Sequence, residues 1–295
     1  MDGGLVQPVL AEDPPVVASS DVVRLGMPQL SLGGLSETWL LKELGHRHWM
    51  LLARMAGREV PDFRDPGGDP VYAAFCAVSI RDAGFGSLAE HDGLMIASRL
   101  ARVSRTQFAS VHRLSRAGAA VGEVELSSVF VKRAQAGRNR SITRVALDGF
   151  PPAGTVPEFS RAAAMAALIR SDRWTGHFGF RRDEAEAGRS LRIRPCPSQD
   201  FNGADLLYFA AFQAFVDRAE WELLDGPSAP AVTLARDIVY HGNVEVGEAV
   251  VATLLGLRRE GGALDHWFRL SREGDGARLA DVFTRRSSAA QPAAL

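Results

Sequence analysis

Cysteine is scarce in this chain. Of 295 residues only Cys76 and Cys196 are cysteines, and neither sits in a Cys-x-x-Cys or Cys/His pattern. That argues against a disulfide framework and a cysteine-based metal site, and predicts a reduced, cytoplasmic protein. Lysine is nearly missing too: Lys42 and Lys132 are its two occurrences, and arginine supplies the other basic side chains. With 34 basic and 35 acidic residues the formal net charge is −1, so no global field favours nucleic acid. No apolar run is long enough to enter a membrane, because Asp205 interrupts the richest one near its start and Asp217, Arg218 and Glu220 near its end. The glycines at Gly84–Gly86 lack the spacing of a phosphate-binding loop. Residues 1–19 are acidic and Pro-rich, without the basic-then-apolar order of a signal peptide. They read as a disordered lead, and 287–295 as a disordered tail. The remainder of a chain that is 46% hydrophobic and 23% charged has the composition of a folded globular protein.

The stretch from Gln199 to Trp221 stands out. Asp200, Asn202 and Gly203 favour turns and helix N-caps, and the residues from Ala204 to Trp221 contain no Pro or further Gly. Between Ala204 and Phe215 the polar side chains are Asp205, Tyr208 and Gln213 alone. A surface helix shows a single apolar stripe; one apolar almost all round is buried. The pattern therefore predicts a buried helix beginning near Ala204.

Short segments with alternating apolar positions come after it: Ala231–Tyr240, Ala249–Arg258, His266–Ser271 and Leu279–Arg285, separated by Gly and polar residues. They read as an antiparallel sheet. A strand over Ser190–Pro197 precedes the helix. One strand, a buried helix and about four strands is the hot-dog pattern, an α+β architecture in which a curved sheet wraps a central helix. The first half repeats that order: a strand at Val22–Gln29, helix from Thr38 to Leu44 resuming at His46–Met55, a loop over Arg54–Pro70, then strands at Val71–Ile80, Leu94–Ser104, Thr106–Leu114 and Glu123–Lys132. Local matches support a duplication. Gly93 and its strand align with Gly247, His112–Arg116 with Phe268–Arg272, and Val129–Arg133 with Val282–Arg286. The expected organisation is a double hot-dog, with units over 20–133 and 189–286 joined edge to edge and a connection over 134–188 holding one helix, Glu158–Arg170. Joining the sheets removes an exposed edge. Such a chain is monomeric, as a covalent equivalent of a dimer, or a homodimer.

Active sites of this fold lie between units near the helix N-termini, where free backbone N–H groups can bind a thioester oxygen. Asn202 and Gly203 are candidate oxyanion donors. Ser36 and Glu37 open the first helix in the equivalent place, and Asp200 and Tyr208 flank the second; these four are candidate substrate contacts, with capping as the simpler reading of Ser36 and Glu37. His46, His48, His112 and His241 have no motif context and read as surface or packing residues.

The residues Asp200–Trp221, above all Asp-x-Asn-Gly and Leu-Leu-Tyr-Phe-Ala, resemble the second-half helix of the double hot-dog family of leinamycin-pathway bifunctional acyltransferase/decarboxylases. Asp69–Arg81, the strand at Gly93, Val111–Arg116 and Asp237–Asn243 extend the resemblance over about residues 24–285. The block Met27–Trp49 looks more like a related group of polyketide or fatty-acid cluster proteins. The resemblance implies decarboxylation of a (methyl)malonyl thioester of CoA and transfer of the acyl group to an acyl carrier protein, with no cofactor or metal beyond the thioester substrate. It also implies a catalytic tyrosine at Tyr72. A phenol is a poor nucleophile unless activated, but a good donor to an enolate or thioester oxygen. A hot-dog thioesterase or dehydratase is the alternative, marked by a His paired with Asp or Glu in the site; a non-catalytic carrier-binding protein is another.

Overall fold

A computed structural model describes residues 15–154, 157–185, 188–224 and 232–287. Its elements in chain order are β1 (Val16–Arg24), α1 (Glu37–Met55), β2 (Pro70–Arg81), β3 (Gly93–Arg102), β4 (Gln107–Arg116), β5 (Ala119–Arg133), α2 (Arg161–Arg170), β6 (Ser190–Ile193), α3 (Phe209–Leu223), β7 (Thr233–Tyr240), β8 (Val250–Glu260), β9 (Ala263–Arg272) and β10 (Arg278–Ser287). The long strands form one antiparallel sheet in the order β1-β3-β4-β5-β2-β7-β10-β9-β8-β6. Short strands at Phe63–Arg64 and Ile142–Arg144 attach to β2 and β5. The order reads the same from either edge, unit by unit, which is the double hot-dog topology. The two halves meet where Ala77–Ile80 of β2 pairs with Arg236–Val239 of β7.

Both long helices lie on one face of this sheet. Leu40, Leu41 and Leu44 of α1 and Phe212, Phe215 and Val216 of α3 belong to one core shared with strands of both units. The outer end of α1 packs on Phe63, Phe108 and Phe130. On the opposite face α2 covers Ala77, Trp174, Val239, Trp267 and Phe283. Each large apolar side chain so buried contributes roughly 1.5–3 kcal/mol.

Local departures from the expected elements have physical causes. The helix expected from Ala204 starts at Phe209, after a short turn of helix at Pro197–Asp200. Asn202 Oδ1 accepts the backbone N–H groups of Ala204 and Leu206 at 3.0 and 3.1 Å, and Asp205 adopts φ 55°. This side-chain turn competes with the helix and delays its start. The strand expected over Ser190–Pro197 ends at Ile193, which leaves Cys196 outside it. No break occurs at Gly45: α1 runs through it, and a Cβ there would stand 2.7 Å from the Phe209 ring. Gly45 is the close-approach point of the two helices.

β1 begins at Val16, ahead of the expected unit boundary at residue 20, and Met27–Gln29 is a 3₁₀ turn instead of strand. At the other end β10 reaches Ser287; the rest of the expected lead (1–14) and tail (288–295) lies outside the described residues. Of the repeated segments, His112–Arg116 and Phe268–Arg272 match in space, with Leu114 and Leu270 both in the shared core. Val129–Arg133 and Val282–Arg286 do not. Phe130 faces the helices and Phe283 the opposite side, a one-residue slip that reverses every side chain.

Candidate active site

Beyond their short paired segment β2 and β7 diverge, and the fork between them holds a cavity of about 640 Å³. One wall is Ala73–Cys76 of β2, where a register shift between Phe75 and Ala77 marks a β-bulge. Bulges re-aim side chains and end pairing, both of which happen here. The facing wall is Tyr240–Asn243, and the N-terminus of α3 supplies Tyr208, Phe209 and Phe212. Across the mouth of the fork Arg170, the last residue of α2, donates to the carbonyls of both Tyr240 and Cys76. Its guanidinium bridges the two separating strands. Among the described residues Arg170 pairs with no carboxylate.

Among the polar residues that line this cavity is His241. Its Nε2 lies 2.9 Å from Asp281 Oδ2, and the ring is 12% exposed while Asp281 is fully buried on β10. A carboxylate only accepts, so Nε2 carries the proton and Nδ1 is left with its lone pair. Burial lowers the His241 pKa below its usual value; the bond to Asp281 opposes this, and Arg278 and Arg170 add to it. Asp281 also accepts from Trp267 Nε1 and Arg269 Nε, each at 3.1 Å, and from Arg278. Burial alone would raise its pKa, but the His241 bond and these arginines hold it at about 2. At neutral pH the pair is a neutral imidazole oriented by an ionised carboxylate.

Two further His–carboxylate pairs lack access to the cavity. His266, with Glu220 at 2.8 Å, is 0% exposed. His177, 2.7 Å from Asp237, packs on the α2 side of the sheet against Phe178 and Phe283. Neither residue lines the cavity.

At the start of α3 no side chain caps the helix, whose N-cap is Tyr208. The first amides of a helix have no partner within it and carry the positive end of its dipole. Here that end opens on the cavity beside Tyr208, whose phenol pKa is pushed up by burial, so it stays a donor. Asn243 fixes the approach, its Oδ1 accepting Leu207 N–H at 3.0 Å and its Nδ2 donating to Leu207 O at 3.2 Å. Asn139, from the connection, donates to Asp205 O at 2.6 Å and Val244 O at 2.9 Å. Exposed Arg140 and Arg144 stand at the rim.

The seven expected site residues therefore separate. Asn202 and Tyr208 line the cavity, although the Asn202 carbonyl is already occupied by its own turn. Gly203 and Asp200 lie outside the lining; Asp200 Oδ2 accepts Cys196 N–H at 2.7 Å. Tyr72 packs with Ala74, Cys76, Val129, Val131 and Ile142, beside the cavity wall. Ser36 caps α1 by accepting Trp39 N–H at 3.3 Å. Glu37 is buried on Arg236 at 3.0 Å and on Thr233. These last two lie at the pseudo-symmetric fork, where Ala83 N–H still bonds Leu234 O at 3.0 Å and a second cavity, of about 580 Å³, is lined by Arg81–Gly84, Leu234 and Ala235 but by neither Ser36 nor Glu37. Sequence reasoning read His241 as a surface or packing residue and passed over Asp281 and Arg170. The available signal was Asp281 itself, a lone acid in an apolar strand that needs a buried partner.

Solved structures share this architecture. An acyl-ACP thioesterase from Bacteroides thetaiotaomicron VPI-5482 superposes with a TM-score of 0.59 at 8% identity, covering 92% of this chain and 98% of that one. The 12:0-ACP thioesterase of Umbellularia californica gives 0.57 at 11% identity over 92% and 93%. A Lactobacillus plantarum protein described as an oleoyl thioesterase gives 0.61 at 13% identity over 95% and 97%. The fold is a double hot-dog. No family model and no curated protein matches the chain by sequence.

Proposed function

We propose that the protein hydrolyses acyl thioesters of CoA or of a carrier protein. The observation that carries this reading is the His241–Asp281 pair in a cavity at the uncapped N-terminus of α3. Water held by His241 Nδ1 attacks the thioester carbonyl carbon and gives its proton to that nitrogen. Negative charge moves to the carbonyl oxygen, where the first-turn N–H groups of α3 stabilise it. Collapse breaks the C–S bond, and the leaving thiolate takes the proton from His241. Acid and thiol are released, with atoms and charge balanced. The structural neighbours that act on acyl-ACP substrates agree with this class.

Rim Arg144 suits the phosphate of a pantetheine arm, since guanidinium groups pair with phosphate in a fixed fork geometry, while Arg140 beside it is paired with Glu248 and Asp275. Decarboxylation with transfer to a carrier, implied by the family resemblance, would place the chemistry on Tyr72. Its position beside the wall, with a His–Asp pair inside, favours hydrolysis over that route. Thiol release from acyl-CoA, monitored with a thiol reagent, tests the reading. Release that is lost in His241→Gln with the fold intact is expected; equal rates in both proteins would overturn it.

A further inference from the structure

We infer that Phe75 and Phe209, set in place by Gly45 of α1, form the stop that limits the acyl chain the cavity accepts. This rests on the thioester reading and adds the residues that select the substrate. The cavity has a charged rim, at exposed Arg140 and Arg144, and an apolar inner end at Phe75, Phe209 and Phe212. A thioester therefore enters with its phosphate-bearing arm at the rim and its acyl chain inward. At that inner end the rings of Phe75 and Phe209 meet with centroids 4.2 Å apart, tilted by 42°. Behind them there is no slack. A Cβ on Gly45 would lie 2.7 and 2.9 Å from two Phe209 ring atoms. Phe75 in turn abuts the His48 ring at 5.1 Å, and His48 is fixed by Ser110 and Ser128 at 2.7 Å each. The two rings close the cavity against α1, and the missing side chain of residue 45 determines how far back Phe209 can sit.

The stop makes opposite predictions for two substitutions. Gly45→Ala drives the Phe209 ring forward and shortens the accepted chain; Phe75→Ala opens space toward His48 and lengthens it. Each methylene that loses its burial costs about fourfold in affinity, so a two-carbon shift changes selectivity by about tenfold or more. Two series separate this inference from the hydrolase reading: kcat/KM for saturated acyl-CoA thioesters of increasing length, and calorimetric binding of the matching non-hydrolysable S-alkyl-CoA thioethers. The expected result is a length optimum in both series that moves down in Gly45→Ala and up in Phe75→Ala. If Gly45→Ala fails to fold, Phe75→Ala alone carries the test. Folded variants that keep the wild-type optimum in both series would overturn the stop, as would wild-type thioether binding that does not depend on length. Length-dependent thioether binding that shifts in the variants, without any hydrolysis, would overturn the hydrolase reading and leave the stop in place.

Discussion

His241 carries its proton on Nε2 because Asp281, held ionised, accepts it there. Protonating Nδ1 ends its use as a base, so activity falls as pH drops through the His241 pKa. Burial lowers that pKa from 6.5, which places the acid limb of kcat/KM below pH 6.5. Arg170 is one of the cations that lower it. Arg170→Gln is therefore expected to move the acid limb to higher pH while reducing turnover, because the bridge between Tyr240 and Cys76 is lost as well. A pH–rate profile of both proteins checks this; an unmoved limb would contradict the role given to Arg170. For His241→Gln the expected loss is about 10²–10⁴-fold, the range for a general base. At this scale the sequence shows only part of the site. Asn202 and Tyr208 sit beside the helix whose burial made them visible. His241 and Asp281 are 40 residues apart, and only the pairing of β7 with β10 brings them together.

The two long helices differ in how their N-termini are used. α1 is capped by Ser36, and its Glu37 joins a buried ionic cluster in which Arg236 meets Glu37 at 3.0 Å and Asp217 at 2.6 Å. Removing one partner from such a cluster strands the others, so Arg236→Met should cost about 3–5 kcal/mol, read from urea unfolding. A loss below about 1 kcal/mol would contradict it. Farther along α1, His48 is fully buried between Ser110 and Ser128, and burial lowers its pKa to about 3. Its unfolded value is 6.5, so below that pH the unfolded chain binds a proton that the folded chain refuses. Stability should be full above pH 6.5 and fall as pH drops from there toward 3, with a shallower slope in His48→Gln. Denaturation midpoints across this range measure the slope. Both helices were legible in the sequence, and so was the Ser36 cap that starts α1, but the start of α3 was not. Side-chain hydrogen bonds of Asn202 moved one start from Ala204 to Phe209, and periodicity carries no trace of such bonds.

Across the whole molecule the duplication is plain in the mirrored strand order, and the functional asymmetry lies in the two forks at the seam. At one the α1 end is capped and packed, with Glu37, Thr233 and Arg236 in contact, and Ala83 bonds Leu234 beside a cavity that α1 does not line. The other opens on the N-terminus of α3, which is uncapped and lines the cavity, with Arg170 spanning the gap. Repeats in the sequence predicted two equivalent units; the choice of fork depended on contacts between residues far apart along the chain. Because one core takes side chains from both units, heating should unfold them in one transition, and two resolved calorimetric peaks would contradict a shared core. The central claim, that the open fork hydrolyses thioesters, is tested most directly by incubating the protein with acyl-CoA and methylmalonyl-CoA in ¹⁸O-water, with and without carrier protein. Product masses are then read for wild type and His241→Gln. The account predicts free acid carrying one ¹⁸O in its carboxyl group together with free CoA thiol, both strongly reduced in the variant. Loss of carbon dioxide with acyl transfer to the carrier, unaffected by His241→Gln, would contradict it.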